Sequence, residues 1–183
     1  RRETRQAVDR LEPFEVRRGV KRLDDNALGR RPIESVRRLA AQLATLKPNL
    51  RDIALTTNGF DFPRHAEALR NAGVDRVTIS LDSLDREKFK QITGVDALDK
   101  VYAAIDAAKQ HGFSPVKINA AVIRGHNDDE FVDFARFARE YDVAMRFIEF
   151  MPLDSGHEWS REMVVPGREI FETWYKMTTL IQS

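Results

Sequence analysis

The chain has 183 residues, a net charge of +1 and no cysteine, which suits one domain with a real core and excludes disulfides, thiolate catalysis and any cysteine-held zinc or iron–sulfur group on these residues. Hydrophobic residues make up 42% and charged residues 32%, an ordinary balance for a globular chain in water. No apolar run approaches the roughly 18 residues of a membrane span, and the opening stretch RRETRQAVDRLEPFEVRRG lacks the apolar centre of a secretory signal, so a cytoplasmic location without a membrane partner is expected.

Residues 1–38 carry 12 Lys/Arg against 7 Asp/Glu. An arm for nucleic acid is one reading and a solvated end the other. A single-strand platform interleaves aromatic rings with its cations, a pattern this stretch does not show, so no nucleic-acid partner is expected. Residues 1–30 read as a ragged basic segment with a short helix over 3–11, and 31–183 as the folded core.

From Ile33 the periodicity sharpens. Ile33, Val36, Leu39, Ala40, Leu43 and Leu46 form one helical stripe, closed by Pro48-Asn49. Ile53-Ala54-Leu55 reads as a strand ended by the Asn58-Gly59 turn. Asp61 is an expected N-cap with Pro63 in the first turn, and the helix stops at Gly73. Val74 to Leu81 reads as a second strand, followed by a short helix over Arg86–Gln91 and a longer one from Asp96 to Gly112. Val116 to Ile123 is a third strand, and Asn127 to Glu130 has the spacing of a capping box before the next helix. Val143 to Phe150 is a fourth strand, and Pro166-Gly167 opens a last helix.

Strands alternating with helices predict right-handed crossovers and a parallel sheet. An open doubly wound sheet and a complete or partial (β/α) barrel both fit. The dinucleotide and Walker glycine patterns are absent. Four strands are too few for a closed barrel, so apolar barrel-facing residues such as Val122 and Ile148 are expected to lack cover.

Ligands of parallel α/β folds sit at the carboxyl ends of the strands. Those ends read Thr56-Thr57-Asn58-Gly59, Ser80 to Ser83, Arg124 to Asn127 and Glu149 to Pro152. Hydroxyls, an amide and carboxylates there suit a polar, phosphorylated small molecule, although Asn58-Gly59 is also a plain turn and Ser83 and Asn127 are also plain caps. Lys117 is an anomaly in an apolar strand. It is either a solvated lysine near the strand start or one whose stem carries an ammonium to a phosphate. Arg146 with Glu149 poses the same choice against a structural ion pair. An acid–base pair of Glu149 and Asp82 is a third reading. The histidines, His65, His111, His126 and His157, show no metal spacing.

LTTNGF (55–60), DRVTISLDSLDREKF (75–89), VKINAAVIRGHNDDE (116–130) and MRFIEFMPLD (145–154) together resemble the GTP 3′,8-cyclase family, radical S-adenosylmethionine lyases of the first step of molybdenum cofactor biosynthesis. The resemblance runs from about Ile53 to about Trp174. It implies a partial (β/α) barrel of TIM type. It also implies GTP as substrate, with S-adenosyl-L-methionine and [4Fe–4S] clusters as the family's cofactors. Matched position by position, it implies that Thr56 and Lys117 contact GTP and that Ser80 and Met151 contact S-adenosylmethionine. Arg22-Leu23 matches the start of the family's I-R-L-T-G-G-E-P strand, which would add Arg22 to the GTP contacts. The departures are equally specific. The Cys-x-x-x-Cys-x-x-Cys loop and the glycine-glycine-glutamate are missing, and the chain stops before the family's second cluster region. The reading is a truncated or degenerate member, inactive by itself because no cluster is expected on it. The alternative is a non-catalytic half-barrel that binds GTP or a second chain completing the barrel.

Overall fold

The computed structural model describes residues 32–47, 49–151 and 159–181. The expected helix over 3–11, the basic segment and Arg22 lie outside the described residues. Helices and strands alternate: α1 (Pro32–Ala44), β1 (Ala54–Thr57), α2 (Phe62–Asn71), β2 (Arg76–Ser80), α3 (Arg86–Thr93), α4 (Leu98–Gln110), β3 (Val116–Val122), α5 (Phe131–Glu140), β4 (Ala144–Glu149) and α6 (Gly167–Ile181). The helices stop where the sequence punctuates them: Gly73 follows α2, Gly112 follows α4, and Pro63 sits in the first turn of α2. Asp61 precedes α2 but its carboxylate caps no helix N–H, contrary to expectation. Asp85 does cap α3, accepting from the Glu87 and Lys88 amides at 2.9 Å each.

The strands form one parallel sheet in the order β1-β2-β3-β4. A doubly wound sheet needs a point where strand order reverses, so that later crossovers cover the second face. Here each strand is laid beside the previous one in the same direction. Crossovers of one hand then put every helix on the same face, which is the construction of a barrel wall.

The two faces of the sheet differ accordingly. In β3, Val116, Ile118, Ala120 and Val122 are buried, while Lys117, Asn119 and Ala121 are half-buried. The buried set faces the helices, where Ile79 and Ile118 pack in one core with Val101, Ala104 and Ile105 of α4. Val122 therefore has full cover, correcting the expectation that it faces an open barrel; it belongs to the same alternating set as Val116. Ile148 does lie on the other face, half-buried. A second cluster fixes the helices behind β4. The Phe147 ring lies 5.1 Å from Phe131, 5.6 Å from Phe134 and 5.1 Å from Trp174, edge to face. Burying an aromatic side chain of this kind contributes about 1.5–3 kcal/mol.

At the amino end of the sheet Asp75 ties three segments together. It accepts the Ile53 amide at 2.8 Å and the Lys47 ammonium at 2.9 Å. Burial by itself would raise the Asp75 carboxyl pKa. The Lys47 and Ile53 hydrogen bonds and the charges of Lys47 and Arg70 outweigh that and hold it below the ordinary aspartate value. With this end locked and helices on one face, the site has one place left: the open face and the carboxyl ends.

Candidate ligand-binding face

The register lays the polar side chains of the open face in rows. Thr56, Thr78, Lys117 and Ala144 are partners in one row. Ser80, Asn119 and Arg146 form the next row toward the carboxyl ends. Partners in neighbouring strands share a face, and so do residues two apart in one strand. Thr56, Ser80 and Lys117 are thus brought together on one face. With strands roughly 4.8 Å apart and about 6.6 Å between alternate residues, Thr56 and Lys117 stand about 10 Å apart at their backbones, and Ser80 and Lys117 about 8 Å. That spread matches a nucleotide-sized molecule. Lys117 and Ser80 are half-buried and Thr56 is exposed on β1, the outer strand among the described residues. Met151 is half-buried, two residues beyond the end of β4.

The TTNG turn divides labour among its residues. Thr57 lies on the helix side, paired with Ile79, and its hydroxyl oxygen accepts the Gly59 amide at 3.1 Å. Asn58 Oδ1 accepts the Phe60 amide at 3.2 Å. Both side chains build the turn, as their residue types suggest, and of the four TTNG residues Thr56 is the one on the open face.

The loops after β2 and β3 hold a buried network that single-element reasoning missed. Asn127 does not open a capping box. Its Oδ1 accepts the Ile123 amide at 2.7 Å, and its Nδ2 donates to the carbonyls of Asp82 at 2.5 Å and Ala121 at 2.8 Å. Glu130 sits at the N-terminus of α5 without capping it. Its carboxylate instead accepts the Ser83 hydroxyl and the Leu84 amide, each at 2.8 Å. Ser83 is completely buried and Asn127 and Glu130 nearly so. The partners lie some 45 residues apart in the chain, which is why spacing could not reveal them. The only signal was a run of carboxylates and amides at two adjacent strand ends.

The acid–base reading is not supported by the geometry. Asp82 Oδ1 accepts the Ala121 amide at 2.9 Å, and Glu149 Oε1 accepts the Gly167 amide at the start of α6. A carboxylate there meets the positive end of a helix dipole. Arg146 and Glu149 are three apart in a strand and so point to opposite faces, and the contemplated ion pair does not form. On the rim, Lys88 Nζ meets Asp129 at 2.7 Å. That hydrogen bond pushes the lysine up and holds the aspartate below its usual range. Among the described residues no group of three or more His, Asp or Glu could hold a metal ion, and no helix is long and apolar enough to cross a membrane.

A one-sided parallel sheet with a polar open face, helices behind it and loops tied at its carboxyl ends defines a segment of a (β/α) barrel wall. Two solved structures share this arrangement at a TM-score of 0.54. They are TYW1 with a lysine-pyruvate adduct bound (18% identity, 76% of this chain, 44% of that one) and the radical SAM enzyme coproporphyrinogen III oxidase HemN from Escherichia coli (14%, 80% and 37%). The sequence profile described as the radical SAM superfamily matches residues 2–138. The chain belongs to the radical SAM superfamily. It is 50% identical over 123 residues to a GTP 3′,8-cyclase of Syntrophomonas wolfei subsp. wolfei, spanning 67% of this chain and 38% of the relative. It is 41% identical over 170 residues to that of Acidothermus cellulolyticus, spanning 91% of this chain and 46% of the relative. The chain thus spans less than half the length of these relatives.

Proposed function

We propose that the chain is a GTP-binding barrel segment of the GTP 3′,8-cyclase type, with GTP meeting Thr56 and Lys117 and S-adenosylmethionine meeting Ser80 and Met151. The observation that carries this reading is the common face of Thr56, Ser80 and Lys117, three positions drawn from three separate matched words. Lys117 offers a compact ammonium on a long stem, half-buried between Thr78 and Ala144, suited to a phosphate.

The residues present fit the two cofactors unequally. Asn119 Oδ1 is buried without a hydrogen bond, in the row between Ser80 and Arg146. A buried acceptor left without a donor costs about 1–3 kcal/mol, and a ligand carrying hydroxyl or ammonium donors would relieve it. S-adenosylmethionine is such a ligand. An iron–sulfur cluster does not fit, because its thiolate ligands are missing from a sequence without cysteine. Reductive cleavage of S-adenosylmethionine needs an electron that these 183 residues have no cluster to deliver. The proposed activity of the chain by itself is binding, not the cyclisation.

Calorimetric titration of the full chain with GTP tests this. The wild type should bind, Lys117→Ala should weaken binding by about 1.5–3 kcal/mol, the value of a hydrogen bond to a charged group, and Lys117→Arg should restore it only in part. A wild type that binds no GTP, or an alanine variant of unchanged affinity, would end the assignment.

A further inference from the structure

We propose that Asn127 and Glu130 are positioning residues: with Asp82 and Ser83 they form one polar clamp that fixes the carboxyl ends of β2 and β3, and through them Ser80 and Lys117. The functional half of this proposal rests on the ligand reading above.

The sheet itself cannot hold these ends. The β2–β3 ladder stops at Ser80 and Asn119, with one further bond from the Leu81 amide to the Asn119 carbonyl at 2.9 Å, while β3 runs on to Val122. Beyond that point the hydrogen bonds between the two segments come from side chains. The Ala121 amide goes to Asp82 Oδ1, and Asn127 Nδ2 bridges the Asp82 and Ala121 carbonyls. Asn127 Oδ1 also takes the Ile123 amide, so one side chain closes both segments. Glu130 fastens the next stretch, binding the Ser83 hydroxyl and the Leu84 amide. Asp82 lies two residues after Ser80, and Ala121 four after Lys117.

Every polar side-chain atom of Asn127 and Glu130 has a partner within the protein, which decides the role of the clamp. Asn127 spends both amide donors and an acceptor bond on backbone groups, and each Glu130 oxygen accepts a hydrogen bond, with Lys88 Nζ a further 3.5 Å from Oε1. Only 3% of Asn127 and 5% of Glu130 is exposed. Buried and already partnered, neither side chain is presented to a ligand. Their effect on the open face passes through the backbone, by preventing the two strand ends from parting where no ladder joins them. A buried network whose members are all partnered is also rigid, because losing one member strands the others without partners.

The test uses the full chain and two readouts. The first is amide hydrogen exchange at Leu84, which Asn127 does not touch. Asn127→Ala should speed it at least tenfold if the clamp is one unit. Glu130→Gln should stay within threefold, because Ser83 can turn its hydroxyl to accept. Asp75→Asn, at the other end of the sheet, should lower stability and leave Leu84 unchanged. The second readout is affinity for S-adenosylmethionine and GTP, which Asn127→Ala should weaken at least tenfold and Asp75→Asn should not move. Should Asn127→Ala fail to fold, Asn127→Asp keeps the acceptor for Ile123 and carries both measurements. Wild-type exchange at Leu84 in the variant would overturn the clamp. Faster exchange with unchanged affinity would overturn the positioning role. A wild type that binds neither ligand removes the ligand reading and the functional half with it, and the exchange data then decide the clamp alone.

Discussion

Replacing Gly59 by alanine separates two reasons for a glycine in the TTNG turn. Gly59 has φ +87°, and a Cβ built there would lie 3.0 Å from Ala104 Cβ and 3.4 Å from Ile79 Cγ2. An alanine held in the left-handed region costs about 1–2 kcal/mol. The contact adds to it, since Ala104 is in the middle of α4 and α4 is pinned to the sheet; overpacking of this kind costs about 1–3 kcal/mol. The expected loss is therefore about 2–5 kcal/mol. Gly94 is the internal control: its φ is +77°, with nothing within 4 Å of the added Cβ, so Gly94→Ala should lose the conformational part only. Urea unfolding followed by the fluorescence of Trp159 and Trp174 gives both values. Repeating Gly59→Ala in an Ala104→Gly background should recover the steric part. Equal losses at the two glycines, or no recovery in the double variant, would show that the turn does not press on α4.

Phe147→Ala should lower stability by about 3–5 kcal/mol, the usual cost of an aromatic truncation in a core, because it empties the centre of the ring cluster under α5 and α6; unfolding curves check it, and a loss below about 1 kcal/mol would show that the cluster collapses around the gap. The chain should lose stability in acid: the Asp75 and Asp129 carboxyls lie below their ordinary values in the fold, so their contribution is fully present above about pH 3.9 and disappears as the pH falls through the lowered folded values. Asp75→Asn should flatten that limb in a pH series of melting temperatures, and an unchanged limb would contradict the assignment. Anaerobic reconstitution with iron and sulfide should load no stoichiometric cluster, and an electron paramagnetic resonance signal from a cluster bound to this polypeptide would refute the argument from its cysteine-free sequence.

The order of the elements and the polar strand ends can be read from the residues alone. Period-3.6 stripes such as Leu98, Val101 and Ile105, and alternation as in VKINAAV, are local consequences of backbone geometry, so they can be read without the fold. The sequence also marked Lys117 as a cation in a largely apolar strand and, through the absence of cysteine, excluded a cysteine-held cluster on these residues. The helix boundaries moved by a few residues and the cap at Asp61 did not form, because N-terminal groups there found backbone partners instead. Relations between elements came from the folded chain. Strand order settled the barrel wall against the doubly wound sheet, and that choice put Val122 under the helices rather than in the open. The same holds for Ser83, Asn127 and Glu130, which local rules read as caps. Each has a side chain able to cap a helix next to it, but each is buried beside a loop from a distant part of the chain, where leaving a backbone amide or carbonyl unpaired would cost more than a cap returns.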